Sequence, residues 1–413
     1  MSREPTKRNI TKRNRKDKKC KAPRISTRGI GLSMEKWERG NLLTKKSESN
    51  MRRLKRASLL LVFLFSGACF HKPPPFDEGK WRKDVENTSI EKLYAPHYRD
   101  GRYFNPWMPQ ERGGFLQFLK WKLGVGASYT REEEAFLPGF IPKLKERIRS
   151  GFSGDFIAWI GHGTFLLRLD GQYWLTDPIF TDRAFLPKRV TPPALTGEDI
   201  REIAPEVNVI ISHNHYDHLD TESIRSLPET ARIIVPRGLG EYVSSFHKGT
   251  VMEMDWWDEM DTGNGTTLTC LPAQHWSRRI GQSVNETLWA SFMIVAPGTT
   301  IYYGADSGYF IGYREFGRLF PNIDYALIST TAYHPRWFMH YAHVNIAEAL
   351  EAFHDLDACF FIPTQWGTFH LGEEPPGYPA LDLKKTIREK HLDTSRFIVM
   401  DIGQIQWISK SPT

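Results

Sequence analysis

Cysteine is scarce in this 413-residue chain, which has four. Cys20 and Cys69 stand in the N-terminal segment, leaving Cys270 and Cys359 in the apolar, strand-like runs TTLTCLPA and ACFFIP. Two cysteines exclude a disulfide-stapled mini-scaffold. Both are expected as buried free thiols, with a bond between them the less favoured alternative. A membrane-spanning run is also lacking: the apolar stretch after MRRLKRA is about eleven residues, where a spanning helix needs about 20. A net positive charge is missing from the body of the chain. Of the formal +7, residues 1–50 carry +11 (16 basic against 5 acidic) and residues 51–69 a further +4, which leaves −8 on residues 70–413. That balance argues against a nucleic-acid partner.

What is present begins with a basic segment, KRNITKRNRKDKKCKAPR, without apolar periodicity. Residues 1–50 are therefore expected to be a disordered tail. Then MRRLKRASLLLVFLFSGACF supplies a methionine, a basic start, an apolar stretch and small residues before a cysteine. This is the order of a secretory signal, which normally sits at the extreme N-terminus, so translation is expected to start at Met51. Ser66-Gly67-Ala68-Cys69 resembles a bacterial lipoprotein processing site. Residues 51–69 are then expected to form a lipoprotein-like signal, and the mature chain to be an exported, cell-envelope protein facing the periplasm, anchored to the membrane through Cys69; an uncleaved short anchor or buried helix is the alternative. HKPPPFDEG reads as a linker, and residues 70–154 as linker plus an N-terminal extension wrapping the main domain, 155–413.

From about residue 155 short apolar runs alternate with turn residues. DFIAWI and TFLLRLDGQYWLTD read as strands, the second broken by a hairpin at Asp170-Gly171. Further strands are expected at VNVIIS, RIIVP, TTLTCL, LWASFMIVA, TIYYGA, YALIST, CFFIP and RFIVM. Helices alternate with several of these. In VNIAEALEAFHDL, Asn345 and Glu348 have capping-box spacing. Many strands with interposed helices imply an α/β fold with helix-covered sheets.

The chemistry concentrates in IISHNHYDHLD. A strand ending at Ser212 would release His213, Asn214, His215, Tyr216, Asp217 and His218 into a tight loop. His213 and His215 can then face one cation, while Asp217 and His218 approach a second. Imidazole and carboxylate donors suit zinc first, with manganese or iron as alternatives, one or two ions in all. His275 in LPAQHWSRR and Asp306 in YYGADSGY each end a strand-like run and can converge on the same edge.

With these residues the chain resembles metallo-β-lactamase-fold hydrolases, in particular the branch of N-acylphosphatidylethanolamine-hydrolysing phospholipase D. The stretches RYFNPW, WIGHGTFLLRLDGQYWLTDPIF, PAQHW, GADSGY, PRWFM, HVNIAEA and QWGTF carry the likeness in order, from about Arg102 to Ile402. The resemblance implies a four-layer αββα sandwich with metals at the edge between the two sheets. By position, His213, His215 and His275 would bind one ion, Asp217 and His218 the other, and Asp306 would bridge. Asp177 would orient a ligand, and His343 would lie on the substrate side. Asp217, Asp306 and His343 form the expected catalytic set. One departure stands out: Gln365 replaces the histidine of the family's HWGTF motif, so the second ion would be held by Gln365 weakly, or completed by His370 or His343.

The resemblance implies a phosphodiesterase of phospholipase D type, acting on an N-acylated phospholipid or related amphiphile through metal-activated water. Arg278, Arg279 and Arg336 are candidates to meet the phosphate. Trp107, Trp256, Trp257 and Trp337 could line an acyl groove. A lactonase or small phosphoester hydrolase of the same fold is the alternative, and a non-catalytic metal- or lipid-binding envelope protein a third reading. No protein partner is indicated.

Overall fold

The computed structural model describes residues 76–408, apart from 111–116, 118–119, 123–125 and 151–153. The expected tail, signal and anchor cysteine lie outside the described residues.

A short ribbon, β1 (Tyr98–Arg99) and β2 (Arg102–Tyr103), precedes the first large sheet. That sheet uses β3 (Phe156–Gly161), β4 (Thr164–Leu169), β5 (Gln172–Thr176), β6 (Val207–Ile210), β7 (Arg232–Pro236) and β8 (Val251–Met254). The second uses β9 (Glu259–Gly263), β10 (Thr266–Leu271), β11 (Ser291–Val295), β12 (Thr300–Tyr303), β13 (Tyr325–Ser329) and β14 (Phe360–Thr364). The last strand, β15 (Ile405–Trp407), returns to the first sheet, giving the orders β15-β3-β4-β5-β6-β7-β8 and β14-β13-β12-β11-β10-β9. Pairing changes from antiparallel to parallel at β5–β6 in one sheet and at β12–β13 in the other.

Alternation along β3 divides the core. Ile157 and Trp159 face the second sheet, in one cluster with Leu268, Phe292 and Tyr303. Phe156, Ala158 and Ile160 instead pack against Leu144, Ile200 and Ile224 of the outer helices. Period-two alternation with apolar residues on both faces requires cover on both sides. Helices Gly312–Leu319, Ile346–Asp355 and Tyr378–Glu389 belong to the second sheet's half, completing the αββα sandwich. The turn at Asp170-Gly171 forms as expected, with φ +46° and +83° matching the positive angles of a type I′ hairpin. The Asn345–Glu348 capping box is also present.

Three expectations are corrected. RFIVM is not a strand: Phe397 makes an isolated bridge with Phe361, after which the chain crosses from one sheet to the other and turns at Gly403 (φ +81°). The edge strands β8 and β9 were not anticipated, because only Met254 and Thr262 in them are buried, leaving little apolar pattern. Cys270 is a buried free thiol, whereas Cys359 is disulfide-bonded and so is not a free thiol.

The chain preceding residue 155 contributes Trp81, Val85, Tyr103 and Trp107 to the inter-sheet cluster. Trp81 Nε1 donates to Glu348, which also accepts from Arg336 and caps its own helix. Further on, buried Glu374 accepts from the backbone N–H groups of Tyr333 and His334, both at 3.1 Å, fastening the segment that leads to His343. Burial raises the Glu374 carboxyl from 4.5 to about 7. Because the folded state holds this proton more tightly, its stabilising contribution is complete below about pH 4.5 and is lost as pH rises through about 7. Replacing Glu374 by Gln should flatten the fall in thermal midpoint across that interval, a difference on the order of 3 kcal/mol between variant and parent. Parallel curves in scanning fluorimetry would contradict this.

Candidate metal centre

Ends of parallel or newly parallel strands converge to build the site. From the first sheet β5 delivers Asp177 and β6 delivers His213 to His218, while from the second β12 delivers Asp306 and β10 leads to His275. After β6 the chain stays extended, with Ile211 N–H on Ile234 O, and then closes where the N–H groups of His218 and Leu219 meet His215 O. Arg279 locks this loop from outside: Nη1 donates to Asn214 O at 3.0 Å and Leu219 O at 2.9 Å, and its guanidinium lies over the Tyr216 ring.

Two donor sets result. In the first, His215 Nδ1 lies 2.8 Å from His213 Nε2 and 3.2 Å from His275 Nε2. Asp306 Oδ2 stands 3.8 Å from His213 Nε2 and 3.6 Å from His275 Nε2. In the second, Asp217 Oδ2 is 3.4 Å from His218 Nε2 and 3.2 Å from His162 Nε2. Asp306 Oδ2 is also 3.4 Å from His218 Nε2, so one oxygen borders both sets. Donors bound to one tetrahedral zinc at about 2.0–2.1 Å are separated by about 3.3 Å, and these separations cluster around that figure.

The far side of each ring is engaged in the manner of a metal ligand. Asp177, fully buried, accepts from His218 Nδ1 at 2.6 Å, from Ser212 N and Oγ at 2.7 Å each, and from Tyr303 OH at 2.5 Å. Ser212 Oγ in turn lies 2.9 Å from His213 Nδ1, and His275 Nδ1 meets Ala342 O at 3.2 Å. His218 Nε2 and Asp306 Oδ1 are buried without hydrogen-bond partners. Such atoms are costly to leave unmatched, and a divalent cation is the partner their chemistry fits.

The electrostatics of the three-histidine set and of the two carboxylates agree with that fit. Burial holds His213 and His275 well below the usual imidazole range, reinforced by neighbouring imidazoles, and lowers His215 to about 4. These three rings are thus neutral and able to ligate. Burial opposes ionisation of Asp217 and Asp306, yet the adjacent histidines, His218 foremost, outweigh it and keep both carboxylates charged. His218 is pushed up because Asp306, Asp217 and Asp177 overcome its burial.

The structure therefore brings together all six expected donors. Asp177 stands where the resemblance placed it, behind the ligands. His343 borders the first set, its ring 5.4 Å from that of His275 and its Nδ1 buried without a partner. Other expectations are corrected. Gln365 turns its amide oxygen to Ser329 Oγ at 3.1 Å, and His370 is an exposed residue outside both sets. Arg279 is committed to the loop carbonyls. Arg336 is committed to Glu78, Glu348 and His343 O, with side-chain exposure of 11%. Neither is free for phosphate, whereas Arg278 is exposed and makes no side-chain ion pair among the described residues. Trp107 and Trp256 are core residues, and Trp257 donates to Leu93 O. Two neighbours were missed, His162 and Trp276, whose ring lies 4.6 Å from that of His215. The quoted stretches WIGHGTF and PAQHW contain both, but no spacing rule marks them.

Residues 173–366 match the model of the β-lactamase superfamily domain. The chain belongs to the metallo-β-lactamase superfamily and is a metal-dependent hydrolase of that fold. It is 34% identical over 274 residues to N-acyl-phosphatidylethanolamine-hydrolyzing phospholipase D 1 of Caenorhabditis elegans, covering 61% of this chain and 76% of the worm protein. It is 32% identical over 249 residues to the mitochondrial N-acyl-phosphatidylethanolamine-hydrolyzing phospholipase D of Saccharomyces cerevisiae, covering 57% and 52% of the two chains. Among solved structures, an isothiocyanate hydrolase from Delia radicum gut bacteria shares the fold, with a TM-score of 0.50 at 14% identity over 62% of this chain and 100% of that one.

Metal analysis tests the shared carboxylate. Asp217→Ala should keep about one of about two bound equivalents, because the three-histidine set is intact, whereas Asp306→Ala should keep less than one. Equal losses in the two variants would contradict a bridging Asp306.

Proposed function

We propose that the chain is a phosphodiesterase of phospholipase D type, acting on an N-acylated phospholipid or a related amphiphile at a membrane surface. The relatives named for that reaction support it. The observation that carries it is an apolar rim beside the donor loop.

Tyr216, inside the His213–His218 motif, stacks on Phe185 at 4.7 Å, and its hydroxyl accepts from Ile280 N–H. Phe185, Leu186 and Ile280 are 49%, 71% and 73% exposed. Phe185 and Leu186 project from a tight turn closed by Ala184 N–H on Pro187 O, and Phe185 adopts φ +60°. That conformation is uncommon for a bulky side chain, and strain accepted to hold an aromatic in water suggests a use for it. Exposed Arg183, Lys188 and Arg278 accompany this rim on a body that is otherwise net acidic. Apolar tips among cations suit the boundary of acyl chains and phosphate headgroups.

Divalent ions in the two donor sets would acidify a water and polarise a phosphoryl oxygen. Asp217 and Asp306 would keep the donors in register, exposed Arg278 would meet the phosphate, and His343, whose Nδ1 is buried without a hydrogen-bond partner, would face the leaving group from the substrate side. Export, with cleavage before Cys69, would bring this rim to its lipids; intact mass of the mature protein should begin at Cys69, and residues 1–50 still attached would refute that part.

A double variant, Leu186→Ser with Ile280→Ser, should lower hydrolysis of phospholipid in vesicles by roughly thirtyfold, because each of the two lost insertions removes on the order of 1 kcal/mol. Turnover of a soluble aryl phosphodiester and the metal content should be unchanged. Lactone hydrolysis without diester hydrolysis would favour the lactonase alternative, and bound metal without turnover of any of these substrates would favour a binding protein.

A further inference from the structure

We propose that His162 is a ligand of the second metal, supplying the imidazole that position 365 does not. The inference needs only that the site binds metal and is independent of the substrate class.

His162 follows β3 in the turn to β4, in the left-handed region at φ +51°, and is fully buried. Its backbone is held on three sides: its N–H donates to Thr368 Oγ1 at 2.9 Å, and its carbonyl accepts from Trp159 Nε1 at 2.9 Å and Gln365 N–H at 3.1 Å. The ring is therefore fixed in direction. Its Nδ1 lies 3.2 Å from the Gln365 carbonyl oxygen, and its Nε2 lies 3.2 Å from Asp217 Oδ2.

Both facing atoms are acceptors, yet a neutral imidazole carries a single N–H. With Nδ1–H given to the Gln365 carbonyl, the Nε2 lone pair points at a carboxylate oxygen. That contact is favourable only if the ring takes a second proton or a metal ion lies between the two atoms, and the donors gathered beside it fit the metal. A backbone carbonyl on the far nitrogen and a lone pair toward carboxylate and imidazole donors is the ordinary setting of a metal-binding histidine. His162, Asp217 and His218 present one donor atom each, all within 4.8 Å of one another, beside Asp306 Oδ2.

Gln365 has a different part to play. Its side chain is turned to Ser329, while its main-chain carbonyl steadies the His162 ring and its N–H grips the His162 carbonyl. The substitution at 365 thus leaves a backbone clamp on the histidine that replaces it. His162 lies before the span matched by the family model, residues 173–366.

The test uses full-length protein loaded with excess zinc, desalted and analysed for metal, with cobalt(II) as the spectroscopic substitute. His162→Gly tolerates the positive φ and removes only the ring. It should fall from about two equivalents to about one, and added imidazole should restore the second. Gln365→Ala, which keeps the carbonyl, should retain both. His162→Cys should bind two cobalt ions and gain a thiolate-to-cobalt charge-transfer band in the near ultraviolet, which a residue that merely packs near the site would not produce. Retention of both zinc ions by His162→Gly, or loss of the second by Gln365→Ala, would overturn the proposal. If the glycine variant does not fold, the cysteine variant decides: two cobalt ions without the band would overturn it equally.

Discussion

A single carboxylate oxygen, Asp306 Oδ2, lies within 4 Å of donor nitrogens from both histidine sets. Around it, four imidazoles and a second carboxylate are buried or half-buried at the joint of two sheets. Taking so many polar groups out of water costs several kcal/mol unless each is matched. Much of the surrounding structure can be understood as matching them. Asp177 accepts from His218 and, through Ser212, steadies His213; Ala342 O steadies His275; Arg279 closes the loop. Among the atoms left unmatched are His218 Nε2 and Asp306 Oδ1, which belong to the donor sets themselves.

The scaffold explains why these residues meet. Each sheet passes from antiparallel to parallel pairing, and the strands at that switch, β5 with β6 and β12, release Asp177, the histidine loop and Asp306 from their C-terminal ends. Ligands gather outside such ends because the chain must leave the sheet there and loops are free to carry function. The two sheets share one core, so residues over 140 positions apart, such as His162 and Asp306, are held in register by packing rather than by local sequence.

Much of this was readable from the sequence, for identifiable reasons. His213, His215, Asp217 and His218 are near neighbours in sequence, and strand alternation sorts them between two faces. The Asp170-Gly171 hairpin and the Asn345 cap are local motifs whose chemistry lies within four residues. What escaped detection depends on distance. His162 is a lone histidine 51 positions before His213, and only the fold shows that its ring reaches Asp217. Arg279 and Arg336 carry charge suited to phosphate, but their burial against loop carbonyls and glutamates arises from tertiary structure. The same is true of Trp107 and Trp256, whose size takes them into the core. Phe185, Leu186 and Ile280 looked like ordinary apolar residues until the structure left them in solvent.

The account rests on two cations sharing the Asp306 carboxylate. Anomalous diffraction at the zinc edge from crystals of the loaded protein measures this most directly. Two peaks about 3.5–4 Å apart, one among His213, His215 and His275 and the other beside Asp217 and His218, are the predicted result. A single peak away from Asp306, or none within the histidine loop, would contradict it.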